Sequence, residues 1–174
     1  MLAPIALYPD ALLSQMLMAS TYPLEIVEAA RWRKANAALK DKALQDALTK
    51  QSWDESVKSL TAFPDVLDRM NQDLAWTQKL GDAFLAQQKE MLDTVQTLRT
   101  KAKASGHLAS NTQQTVKVET QESKEVIVIE PANPEVVYVP TYQPTVVYGG
   151  WGYPAYPPYY PPYWYPVATP LVNG

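Results

Sequence analysis

The sequence has no cysteine among its 174 residues and a single histidine. The first absence excludes disulfides, thiolate nucleophiles, zinc ribbons and iron–sulfur clusters. The second removes most imidazole-based metal sites. Its six glycines form neither a P-loop nor a dinucleotide fingerprint, and no Asp/Asn/Gly loop has EF-hand spacing. No cofactor and no metal are expected. A basic surplus is missing too: 15 Lys and Arg stand against 18 Asp and Glu, a net charge of −3. No positive field therefore invites nucleic acid. No run reaches the roughly 18 apolar residues of a membrane span, so no transmembrane segment is expected. Met1-Leu2-Ala3-Pro4 offers neither a basic n-region nor an apolar h-region, which suits a chain whose leader has been removed.

What is present is unevenly spread. Residues 1–110 carry 13 basic and 13 acidic side chains, whereas 111–135 hold Lys117 and Lys124 against five glutamates. After Glu135, 39 residues pass without a charge. Three segments follow: a helical part over 1–110, a small β part over 111–148 packed on it in one domain, and a Pro/Tyr/Trp-rich tail over 149–174. The expected fold class is α+β, with a helical N-terminal layer, one long helix and a small, mostly antiparallel sheet.

Helical spacing recurs through the first part. Leu12, Leu13, Met16 and Leu17 form one stripe, Leu24, Val27 and Ala30 with Ile26 a second, and Ala43, Leu44, Ala47 and Leu48 a third. Ser52-Trp53-Asp54-Glu55 fits a capping box, with Ser52 as cap and Glu55 reaching back. Tyr8-Pro9-Asp10, Tyr22-Pro23-Leu24-Glu25 and Phe63-Pro64-Asp65 each set an aromatic before proline and an acid in the first turn. From Pro64 a seam through Met70, Leu74, Thr77, Gly81, Phe84, Gln88, Met91, Val95, Leu98 and Ala102 predicts one long helix, with bends at Asn71–Asp73 or Gly81. Gly106 suits its C′ position.

The period then changes from 3.6 to 2. Thr115–Glu119 and Glu125–Glu130 predict a hairpin turning at Gln121–Lys124. Val136–Val139 and Val146–Tyr148, punctuated by prolines, predict two further short edge strands. From Trp151 to Pro166, sixteen residues include six prolines, six tyrosines and two tryptophans. That density predicts polyproline II or irregular chain, with Tyr153, Tyr156 and Tyr159 on one face of a three-residue helix.

Leu2–Gln15, Ala19-Ser20-Thr21-Tyr22-Pro23, Trp76–Phe84 and Ile129–Pro140 together resemble a bacterial family catalogued as domain of unknown function 3300. The resemblance runs over about residues 2–150. It implies exported proteins of Gram-negative bacteria, with a leader before this region and a tail rich in Pro, Trp, Tyr, Gly or His after it. It carries over no activity, cofactor or site residue. A periplasmic or otherwise exported location is therefore the expectation, and the cysteine-free composition is compatible with it.

The catalytic inventory is poor. His107, at a predicted helix end, reads as a solvated or dipole-stabilised cation. Lys58 and Ser59, adjacent on a helix, point about 100° apart and cannot form a dyad. Carboxylates at Glu25, Glu28, Asp65, Asp68 and Asp73 support an alternative reading, a carboxylate-dependent cell-wall glycan hydrolase or lyase. A third reading is a chaperone-like apolar groove. The strongest signal is the aromatic tail, because tyrosine and tryptophan give large contact area at little rotamer cost. Candidate binding residues are Trp151, Tyr153, Tyr156, Tyr159, Tyr160, Tyr163, Trp164 and Tyr165. Expected partners are an envelope protein or copies of the same chain, with peptidoglycan or polysaccharide as the polymer alternative. The leading expectation is a non-enzymatic envelope interaction or assembly protein. Pro157-Pro158-Tyr159-Tyr160 also matches the pattern read by WW domains, an accident in a segment saturated with both residues.

Overall fold

Proline ahead of an acid starts helices where the sequence places them. In the computed structural model, which describes residues 1–151 and 154–159, α1 covers Asp10–Ala19, directly after Pro9. Pro23 opens α2 (Pro23–Ala35). Two short helices follow, α3 (Asp41–Leu48) and α4 (Glu55–Leu60). Pro64 then opens α5 (Pro64–Gln72). The aromatic before proline is a core residue only at Tyr8, which is 1% exposed. Tyr22 instead lies open and bonds through its phenol to Asp54.

The long helix predicted from Pro64 is three helices: α5, α6 (Leu74–Ala86) and α7 (Gln88–Ala104). The first break falls at Asp73, inside the expected bend. Its backbone leaves the helical region, and its carboxylate caps α6 by accepting from the Trp76 N–H at 3.0 Å. The second falls at Gln87, whose backbone leaves the helical region at φ −144 and ψ 51. Gly81 is not a bend. It lies inside α6 because the Ser20 carbonyl passes there, and a Cβ would sit 2.2 Å from that oxygen.

The predicted hairpin is present as β1 (Gln114–Gln121) and β2 (Lys124–Pro131), antiparallel, with Gln121 opposite Lys124. Glu122 and Ser123 form the two-residue turn, both at positive φ as a type I′ turn requires. The two further strands do not form. Val136 makes only an isolated bridge to Asn133, and Pro144–Val147 is a helical turn, α8. Pro144 supplies the fixed φ of a first helical position and no donor for a ladder. The described structure is thus α+β, with a two-stranded sheet.

The chain divides into two compact units: residues 14–86, and residues 1–13 with the described chain from Gln87 onward. In the first, α2 packs against α4, α5 and α6 around Ile26, Leu60, Leu67, Met70 and Leu80, all fully buried. The capping box there is rearranged. Asp54, two residues past the expected Ser52, caps α4 through the Ser56 N–H. The reaching-back carboxylate comes from Glu25 of α2, which accepts from the Asp54 N–H at 2.8 Å.

In the second unit, residues 2–8 are a buried run of turns, and β2 packs on α7. Arg99 fastens these pieces. Its side chain is 2% exposed and donates to the carbonyls of Ala6, Tyr8 and Ile127 at 2.8–2.9 Å and to Asp10 Oδ1 at 2.6 Å. Asp10 Oδ1 also accepts from the Ile129 N–H. One buried cation thereby joins the N-terminal segment, α7 and β2.

Candidate functional site

The tail begins on a buried tyrosine pair. Tyr142 and Tyr148 meet edge to face at 6.1 Å between ring centroids. The Leu7 N–H donates to the Tyr142 oxygen, while the Tyr148 hydroxyl donates to the Ala3 carbonyl. Burial pushes the Tyr148 phenol well above its ordinary pKa. These bonds tie residues 142–148 to the N-terminal segment.

Trp151 continues the cluster outward. Its ring lies 6.2 Å from that of Tyr148, with the Lys101 ammonium 5.8 Å from its centroid, within cation–π range. Its indole N–H donates to the Tyr156 carbonyl at 2.8 Å. A cavity of about 210 Å³ opens beside it, walled by Met1, Leu98, Trp151, Tyr156 and Pro157. Thr94 and Thr97 of α7 also line it, but their hydroxyls already donate to the Glu90 and Asp93 carbonyls. The wall is therefore mostly rings and apolar groups. Tyr156, at 78% exposed, offers its ring to solvent at the rim.

Of the predicted binding residues, Trp151 and Tyr156 share this cavity, and Tyr159 is half-buried. Tyr153, Tyr160, Tyr163, Trp164 and Tyr165 lie outside the described residues. Sequence patterning did not single out Tyr142 and Tyr148, which anchor the tail, or Arg99. Arg99 stood in plain view: four residues after Val95 and eight after Met91, it occupies the buried face of α7.

Most of the polar residues weighed for chemistry have structural partners. Glu28 accepts from the Trp53 indole N–H at 3.0 Å, and that ring meets Trp32 edge to face. Glu25 and Asp73 serve the two caps described above, Asp68 lies 3.6 Å from Lys34, and Asp65 is exposed in the first turn of α5. Lys58 pairs with Glu55, whereas Ser59 donates to the Glu55 carbonyl. Asp54 is held below its ordinary pKa by its bonds from Ser56. His107 closes α7: its N–H reaches the Ala102 carbonyl and that of Gly106 reaches Lys103, a Schellman pair with Gly106 at φ +80. Ser105 Oγ lies 3.1 Å from His107 Nδ1 and reaches the Val147 carbonyl at 2.6 Å and the Ala102 carbonyl at 3.1 Å, so two backbone acceptors compete with the imidazole for its one proton.

Residues 1–172 match the model of a family described as a protein of unknown function, DUF3300. The chain belongs to the DUF3300 family. It is 46% identical over 184 residues to the uncharacterized protein YacH of Escherichia coli (strain K12), a match covering 90% of this chain and 30% of that protein. This DUF3300 chain therefore spans less than a third of the relative's length. No solved structure matches it. Among the described residues, no helix is long and apolar enough to cross a membrane.

Proposed function

We propose that this DUF3300 chain is a non-enzymatic interaction or assembly protein of the bacterial envelope. Its aromatic, proline-rich arm makes the contact, with a partner protein, another copy or an envelope polymer such as peptidoglycan. One observation carries the reading. The first rings of the arm are seated on a built platform, with Trp151 held by Lys101, Tyr148 and the Tyr156 carbonyl, while the Tyr156 ring faces outward. An anchored root makes the ring-bearing chain beyond it cheaper to order on a surface, because less conformational entropy remains to be lost.

The test is co-sedimentation of the purified chain with a peptidoglycan-containing envelope fraction. Deleting residues 150–174 is expected to reduce the bound fraction to background while leaving the far-ultraviolet circular dichroism unchanged. Equal binding by the deleted chain would contradict the reading. Tyr156→Ala, which removes a side chain 78% exposed, separates binding from folding and is expected to weaken binding severalfold at an unchanged melting temperature.

A further inference from the structure

The hairpin has two outer edges, treated differently. A two-residue turn with Gln121 opposite Lys124 directs the backbone groups of Ile127 and Ile129 away from β1. Three of those four groups are taken. Gln96 of α7 accepts from the Ile127 N–H and donates to its carbonyl, Arg99 donates to the same carbonyl, and Asp10 accepts from the Ile129 N–H. Helix side chains thus seal the edge of β2.

On β1 the same alternation turns Val116, Val118 and Thr120 outward. The Ser110 hydroxyl seals Val116, accepting from its N–H at 2.8 Å and donating to its carbonyl at 3.2 Å. Asn111 does the same for Gln114 through its side-chain oxygen and its own N–H. Past Val116 the sealing stops. Residues 117–121 are exposed, Val118 to 47%, and among the described residues nothing bonds the outward N–H and C=O groups of Val118 and Thr120. Such an edge is a template for strand addition.

We propose that the β1 edge pairs antiparallel with β1 of a second copy of this chain, about a two-fold axis at Val118. Charge selects this register. Centred on Val118, the pairing sets Lys117 opposite Glu119 of the second copy and Glu119 opposite its Lys117, two complementary pairs on one face. Val118 meets its own counterpart in a mutual pair of backbone hydrogen bonds. Val116 falls opposite Thr120 of the other copy, so Ser110 competes with the partner for Val116 and limits the ladder. Shifting the axis by one residue either way sets like charges opposite each other at Lys117 or at Glu119. The pairing is small and therefore weak and reversible. It is carried by different residues from the arm and does not rest on it.

Sedimentation velocity of the full chain over a concentration series tests this by charge complementation. Lys117→Glu brings a second carboxylate against Glu119 of the other copy, and Glu119→Lys brings a second ammonium against its Lys117. Each single variant is expected to raise the dimer dissociation constant about tenfold or more. An equimolar mixture of the two is expected to restore association as a heterodimer, since every facing pair is again opposite in sign. Ser110→Ala, which frees Val116, is expected to tighten the dimer, an effect that a merely stabilising role for the serine would not give. Val118→Pro removes one outward N–H without touching the β2 ladder and is expected to abolish dimerisation. A chain monomeric throughout the series would overturn the proposal. So would association indifferent to both charge reversals, including association lost only when residues 150–174 are deleted.

Discussion

At the residue scale, Arg99 is the most exacting side chain, because its planar fork meets three carbonyls and a carboxylate at once. Arg99→Met keeps most of the stem but leaves those acceptors buried and unpaired. The expected loss is about 3–5 kcal/mol of unfolding free energy by urea titration. Arg99→Lys recovers only part of it, because an ammonium donates from a single point. Tyr148 gives a prediction in pH. Its folded pKa is raised by burial, so the unfolded chain ionises first, at a pKa of about 10. The stability due to the neutral phenol is complete below that value and falls as pH rises above it. In pH-dependent melts, Tyr148→Phe is expected to flatten the decline above pH ~10, at a cost of about 1–3 kcal/mol near neutrality from the unpaired Ala3 carbonyl. Neither role was legible beforehand. Arg99 was passed over although its spacing from Met91 and Val95 is that of the buried face, and its partners Ala6, Tyr8 and Asp10 lie some 90 residues away.

At the element scale, local chemistry wrote most of the fold into the sequence. Pro23 and Pro64 begin helices, Gly106 ends one, and alternation from Gln114 to Pro131 gives the hairpin. The break at Asp73 falls in the bend read at Asn71–Asp73, but the one at Gln87 was harder to read because the seam continues in step through it and Gln87 is neither proline nor glycine. Strand-like valines at 146–147 became helical because Pro144 suits a first helical turn better than a ladder. Gly81 is required by packing rather than by a bend. Gly81→Ala gains helix propensity of about 1 kcal/mol, yet its Cβ would meet the Ser20 carbonyl at 2.2 Å. A net loss of about 1–3 kcal/mol in thermal or urea unfolding is expected. The hairpin turn errs the other way. Glu122 and Ser123 both sit at positive φ, so Glu122→Asn with Ser123→Gly is expected to raise stability by about 1 kcal/mol.

At the scale of the whole molecule, charge and aromatic content separate along the chain. The chain up to Glu135 holds every charged side chain, and the 39 residues after it hold none. The composition of the arm was visible at once. Its anchorage was not, since it depends on Tyr142 and Tyr148 reaching back to Leu7 and Ala3, across more than 130 residues. That anchorage, with the seat of Trp151 against Tyr148 and Lys101, is what the proposed envelope role rests on. The most direct test is the envelope-bound fraction of the full chain against a Trp151→Ala, Tyr156→Ala double variant, compared at matched folded fraction. Binding that falls at least tenfold in the variant is the predicted result, and binding that stays equal would contradict the account.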